Sequence, residues 1–270
     1  RVVIFGAGTA GIGIADQIRD AMVREGLSKD EAARRIWCVD RQGLLIADMA
    51  DRLRDYQVTY ARPTADGKSW KHDGNGNGNG PSLAEVVRRV MPTMLIGTST
   101  AAGSFTEAIV REMAAHTGRP IIFPLSSPTQ RAEATPADLI AWTDGRALIA
   151  TGSPLAPVTH KGVTYVIGQV NNAMLYPGLI LGAIVSRARR ISAGMFVAAA
   201  SAVSSLVAVR QPGASLLPHI DDLRSVSVTV AVAVAETAAA EGLAGAELGD
   251  IVQQVQDAMW QPEYRQIQAV

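Results

Sequence analysis

Six residues near the start of the chain set the strongest limit on its fold. Gly6-Ala7-Gly8-Thr9-Ala10-Gly11 follows the apolar run Val2–Phe5 and opens a helical pattern. In such a turn the first glycine permits the tight bend and the second lets the backbone come close to a pyrophosphate. The third lets helix and strand pack closely. A helix starting there offers unpaired N–H groups and the positive end of its dipole to an anion. Gly6, Gly8, Thr9, Ala10 and Gly11 are therefore expected to hold the phosphates of a dinucleotide. Alone, the motif also suits a turn built only for packing, so its surroundings matter.

Those surroundings repeat the strand-then-helix rhythm. Short apolar runs at Val2–Phe5, Ile36–Asp40, Met94–Gly97, Ile121–Pro124 and Ala147–Thr151 read as strands buried on both faces. Helical patterns lie between them, near 11–25, 82–90, 104–116 and 136–142. Ser28-Lys29-Asp30-Glu31 is a capping box, and Thr135-Pro136 pairs an N-cap with an N1 proline. The alternation predicts an α/β fold, Rossmann-like and doubly wound. Its mainly parallel sheet would carry helices on both faces, with a helical C-terminal part.

The remainder is less regular. Glycine and asparagine alternate between Asp66 and Pro81, which suggests a mobile surface loop. A hairpin is expected over 157–166, turning at Lys161-Gly162, and Pro177 opens a helix running toward Arg190. The stretch 226–240 is expected to be a helix lying against the sheet. No internal repeat and no linker divides the chain.

The second strand ends in Asp40, suited to the adenosine ribose hydroxyls. It lies farther from the glycines than the usual spacing of about 20 residues, and the capped stretch 28–35 accounts for the excess. Arg41 follows; an acid at the ribose disfavours a 2′-phosphate, whereas an arginine accepts one. NAD is the expected cofactor and NADP stays open.

Composition removes several classes. With 25 basic and 25 acidic residues in 270, no basic surplus supports nucleic-acid binding. The single cysteine, Cys38, reads as a small buried hydrophobe and points to a reducing, cytoplasmic setting. The weakly polar stretch 193–209 falls short of the roughly 20 apolar residues of a membrane span, so a buried helix and no membrane are expected. The histidines at 72, 116, 160 and 219 are scattered, with exposed or capping roles expected, and Asp221-Asp222 read as first-turn acids. No metal site is expected. The chain opens without methionine inside a strand-like run, as a fragment of a longer protein would.

Further motifs carry a resemblance. These are Trp37-Cys38-Val39-Asp40, Leu95-Ile96-Gly97-Thr98-Ser99, Arg119-Pro120-Ile121-Ile122-Phe123-Pro124-Leu125-Ser126, Ala150-Thr151-Gly152-Ser153-Pro154 and Gly168-Gln169-Val170-Asn171-Asn172. With the glycine turn, they make the whole chain, 1–270, resemble the nucleotide-binding domain of the malic/malolactic enzyme family. The resemblance implies that Thr98 and Ser99 line the cofactor path and that Ser126 and Ser127 belong to the cofactor site. It also implies that Asn171 reaches malate and Asn172 the nicotinamide end. Ser127 departs from the family's usual Leu-Ser-Asn-Pro-Thr: it replaces an asparagine expected to touch the nicotinamide ribose and substrate.

The implied function is oxidative decarboxylation of malate to pyruvate and CO2 with reduction of NAD. A tyrosine, a lysine and the ligands of a divalent Mn or Mg ion are implied in a preceding domain. The isolated chain is expected to bind cofactor without turnover, and the full protein to be a homo-oligomer. Two other readings stay open: a malolactic enzyme releasing lactate with NAD tightly bound, and a non-catalytic nucleotide-sensing module.

Overall fold

The computed structural model describes residues 1–68, 70, 80–209 and 211–261. The chain groups into two compact units, 1–170 with 212–214, and 171–211 with 215–270. The boundary between them falls at Val170–Asn171.

The first unit holds β1 (Val2–Phe5), α1 (Thr9–Arg24), α2 (Lys29–Arg34), β2 (Ile36–Asp40) and β3 (Gly43–Leu44). After a 3-10 turn at Ala47–Arg52 come α3 (Asp55–Val58), α4 (Thr64–Lys68), α5 (Leu83–Val90), β4 (Met94–Gly97) and α6 (Glu107–His116). Then follow β5 (Ile121–Pro124), α7 (Pro136–Thr143), β6 (Leu148–Thr151), the hairpin strands β7 (Val158–His160) and β8 (Val163–Tyr165), and β9 (Gly168–Gln169). Seven strands form one sheet in the order β3-β2-β1-β4-β5-β6-β9. Every pairing is parallel except β2 with β3. Only Arg41 and Gln42 separate those two strands, too few residues for a crossover, so the chain must double back. Gly43 makes that reversal with a φ of +86°.

Alternation along each strand feeds two cores. Val3, Val39, Leu95 and Ile122 face one side and pack with Val86 and Val87 of α5, Val110 and Met113 of α6, and Leu139 and Ile140 of α7. Val2, Ile4, Ile36, Cys38 and Ile96 face the other side, with Ile12 and Ala15 of α1 and Ala33 of α2. The expected doubly wound architecture is therefore present. Cys38 is buried, and burial pushes its thiol well above the ordinary range.

The anticipated helix starts are formed. Ser28 and Glu31 close a capping box, and the Thr135 hydroxyl accepts from the Asp138 N–H at 3.2 Å ahead of Pro136. The hairpin turns at Lys161 and Gly162, both at positive φ. It is tied to the end of α7, where Asp144 pairs with Lys161 at 2.6 Å and His160 at 3.2 Å. Hydrogen bonds from Lys161 and His160 hold the Asp144 carboxyl below its usual range. His116 pairs with Glu112 on the surface, and His219 accepts from the Asp221 N–H as an N-cap, so both take the expected roles. Most of the glycine/asparagine stretch expected to be a loop, including His72, lies outside the described residues.

The second unit is helical among its described residues: α8 (Tyr176–Val185), α9 (Ala193–Ser205), α10 (Leu223–Ala240) and α11 (Ile251–Ala258), with 3-10 turns at Asn172–Met174 and Ile220–Asp222. Residues 226–240 are helical as expected, and the partners that their buried stripe meets are helices of the same unit. Val226, Val230, Val234 and Ala238 of α10 join a core with Leu179 of α8 and Met195, Ala199 and Val203 of α9. By length and apolar composition alone 220–240 would suffice to cross a membrane. That buried stripe is what a core helix needs. Asp221 and Asp222 sit in the 3-10 turn just ahead of α10.

Candidate functional site

The site lies where the chain, after building β1, β2 and β3 to one side, crosses to β4 on the other. Open α/β sheets bind ligands at such a switch point, beyond the carboxyl ends of their strands. A cleft of about 460 Å³ opens there. Its walls include Gly6 and Gly8 after β1, Asp40 and Arg41 after β2, and Thr98 and Ser99 after β4. Residues expected from three separate motifs thus share one cavity.

The three glycines occupy different environments. Gly6 bends with a φ of +104°, and a β-carbon there would lie 2.5 Å from the Ser99 nitrogen. The Thr98 hydroxyl donates to the Gly6 carbonyl at 2.7 Å, so the two loops are bonded as well as close. Gly11 is buried under the turn, and its β-carbon would overlap the Gly6 carbonyl oxygen. Gly8 differs: nothing lies within 4 Å of where its β-carbon would stand. It is the N-cap of α1, with no side chain capping the helix and no acid in the first turn. Thr9 and Ala10, in that first turn, are exposed. Bare backbone facing open space at a helix N-terminus fits the diphosphate of a dinucleotide.

Asp40 ends β2 with one carboxylate oxygen accepting from the Arg41 N–H at 2.9 Å and the other 3.5 Å from Gln57 Nε2. Gln57 escaped the sequence reading. It is buried, and its Nε2 donates to the Ala7 carbonyl at 2.7 Å, which links the glycine turn to Asp40. Only the fold brings positions 7, 40 and 57 together, and no motif marks the glutamine. Arg52 and Arg54 also line the cleft, and Arg54 donates to the Tyr56 hydroxyl at 3.1 Å.

Beyond β5 the two serines part ways. Ser126 is buried and bonded to Glu133, whereas Ser127 is exposed with its hydroxyl 3.4 Å from that of Ser153. Asn171 and Asn172 begin the second unit. Asn171 caps the 3-10 turn by accepting from the Ala173 N–H at 2.9 Å, and Asn172 is exposed beside Tyr176 and Pro177. Among the described residues no group of three or more His, Cys, Asp or Glu stands ready to hold a metal. The residues here thus do not fit a divalent ion.

A family model described as the malic enzyme NAD-binding domain matches residues 1–239. The chain belongs to that family. It is 58% identical over 270 residues to NAD-dependent malic enzyme 3 of Bacillus subtilis, covering 100% of this chain and 47% of that protein. It is 46% identical over 267 residues to the malolactic enzyme of Lactiplantibacillus plantarum, covering 99% and 47%. The chain thus spans about half the length of these relatives. Among solved structures it superposes on the malic enzyme of Entamoeba histolytica with a TM-score of 0.67. The identity there is 24%, with 95% of this chain and 46% of that one covered. Pyrococcus horikoshii malic enzyme gives 0.66 at 21% identity, with 95% and 52% covered. These two likenesses speak for the fold alone.

Proposed function

We propose that this domain binds NAD in the cleft and serves, within a longer protein, the oxidative decarboxylation of malate to pyruvate and CO2. The observation that carries the reading is the open face of Gly8, set between Asp40 on one side and Thr98–Ser99 on the other. In this reading the α1 amides from Thr9 and Ala10 hold the diphosphate, while Gly6 and Gly11 shape the turn. Asp40 accepts from the adenosine ribose hydroxyls, and the nicotinamide half extends past Thr98 and Ser99 toward Ser126 and Ser127. Asn171 and Asn172 serve the malate and nicotinamide ends, since a neutral amide donates and accepts at once. The bound nicotinamide supplies the hydride acceptor for C2 of malate. The divalent Mn or Mg ion belongs to residues outside this chain, and the parent protein is a cytoplasmic homo-oligomer.

Calorimetric titration of the chain tests the cofactor reading. NAD is expected to bind more tightly than NADP, because Asp40 repels a 2′-phosphate, and malate with Mn should yield no NADH from this chain alone. Tighter binding of NADP would reassign the cleft, with Arg41, Arg52 and Arg54 as the phosphate partners; NADH formation would overturn the division of labour.

The malolactic relative keeps a second reaction in view. The parent protein given malate, NAD and manganese should release pyruvate with one NADH each, whereas lactate without NADH would make it malolactic. Ser127→Asn in that parent lengthens the side chain toward the nicotinamide side. It is expected to lower KM for malate by about threefold, the worth of one added neutral hydrogen bond. Unchanged kinetics would remove Ser127 from the site.

A further inference from the structure

Glu133 has no place in the scheme above, yet it is fully buried, at 0% exposure. Burying a carboxyl is unfavourable unless hydrogen bonds replace water. Four neutral donors do so here. Oε1 accepts from the Ser99 N–H at 2.8 Å, the Ser99 hydroxyl at 2.7 Å and the Ser126 hydroxyl; Oε2 accepts from the Ser126 N–H at 3.4 Å. Each serine oxygen also receives a backbone N–H, from Ala101 at 3.1 Å and from Thr100 at 2.8 Å. Those incoming bonds turn both hydroxyl protons toward Glu133, as a carboxylate acceptor requires.

The carboxylate therefore joins the loop after β4 to the loop after β5. Two features show how closely the chain is arranged around it. Gly97 ends β4 with no side chain, and a β-carbon there would come within 2.6 Å of Glu133 Oε2. Thr100 holds a φ of +58°, a conformation that β-branched residues rarely adopt. Its N–H is fixed on Ser126, and so indirectly on Glu133. The backbone around Glu133 is stitched to the same loop: Gly103 donates to the Ala132 carbonyl at 3.1 Å and Phe105 to the Glu133 carbonyl at 2.9 Å.

We propose that Glu133 is the positioning residue for the nicotinamide half of the cofactor site: its buried carboxylate clasps Ser99 and Ser126 so that the loops after β4 and β5 form one wall. The proposal rests on the reading that the cleft binds NAD. Glu133 itself lies beneath the wall and acts through the loops. The adenosine and diphosphate half is built on Gly8, Asp40 and Gln57, whereas the Glu133 carboxylate bonds to Ser99 and Ser126. Strand order supports this division, because β2 and β1 lie to one side of the switch point and β4 and β5 to the other.

The test separates the two halves by ligand. ADP carries only the adenosine and diphosphate, whereas NAD carries both ends. The 270-residue chain should bind both, NAD the more tightly. In Glu133→Gln, with nearly the same shape and no charge, NAD binding is expected to weaken about tenfold while ADP stays within about twofold. A purely structural role would lower both affinities together. Equal losses, no loss of NAD, or a wild-type chain that binds NAD no better than ADP would each overturn the proposal. A wild-type chain that binds neither would overturn the cofactor reading, and this proposal with it. Ser126→Ala keeps the carboxylate and removes one link, so it decides the matter even where Glu133→Gln fails to fold. NAD about threefold weaker with ADP unchanged supports the clasp, and unchanged NAD overturns it.

Discussion

Gly8→Ala should cripple cofactor binding in a domain that stays nearly as stable, whereas Gly11→Ala should markedly destabilise the domain. Both substitutions add one methyl group, three residues apart in the same turn, yet they meet different surroundings. At Gly8 the backbone is extended, a conformation alanine adopts freely, and the added carbon points into open cleft. The cost to folding is the weaker N-cap, about 1 kcal/mol or less. The carbon fills the space where a diphosphate must approach the α1 amides, so NAD affinity should fall at least about a hundredfold, or about 2.7 kcal/mol. At Gly11 the carbon overlaps the Gly6 carbonyl oxygen and comes within 2.8 Å of Thr98 Oγ1. Neither group can move without disturbing the Thr98–Gly6 hydrogen bond. Overpacking of backbone against backbone should destabilise by about 3 kcal/mol, enough to lower the melting temperature by roughly 6–12 °C in a unit of this size. Thermal melts and NAD titrations on both variants check the pair. Tight NAD binding by Gly8→Ala would end the phosphate assignment, and an unchanged melt for Gly11→Ala would contradict the packing of α1 on β1.

Where the fold was legible, a local pattern coincided with a tertiary role. The five parallel strands β1, β2, β4, β5 and β6 were visible because strands buried on both faces must be apolar almost throughout. The capping serine and threonine marked α2 and α7 because an N-cap is a contact between neighbours in sequence. β3 and β9 are two residues each and exist only through their partners. The same holds for Gln57 and Glu133. Nothing in Asp55-Tyr56-Gln57-Val58 or Ala132-Glu133-Ala134 distinguishes a buried polar side chain from a solvated one. Their significance comes from carbonyls and serines 50, 34 and 7 positions away. The glycine turn shows the opposite case, where one hexapeptide specifies both its own geometry and the surface it offers. The helical partners of 226–240 were not legible because alanine- and valine-rich helices suit a sheet or another helix equally well, and the choice lies in the partner.

That partner is marked by two glycines, and removing one should have the second largest effect. Gly178 and Gly182 lie one turn apart on the face of α8 that meets α10. A β-carbon at Gly182 would stand 2.5 Å from the Ala231 carbonyl oxygen and 2.8 Å from Val234 Cβ; at Gly178 it would stand 2.6 Å from the Ser227 carbonyl oxygen. The backbones approach so closely that only hydrogen fits between them. Gly182→Ala sets two effects against each other. Alanine favours the helix over glycine by about 1 kcal/mol, while prising α8 from α10 costs up to about 3 kcal/mol. Packing should win, because the obstruction at Ala231 is backbone that no rotamer change can clear. The net loss of about 2 kcal/mol would show as faster amide hydrogen exchange across 176–185 and 223–240. Ile184→Ala is the control on the same helix: that side chain is 63% exposed, and its removal should shift stability by no more than about 0.5 kcal/mol. A more protected α8 in Gly182→Ala would mean that helix propensity decides and that the two helices are held apart. The expected result makes glycine spacing, which carries no weight in a hydrophobic pattern, the feature that selects α8 as the neighbour of α10.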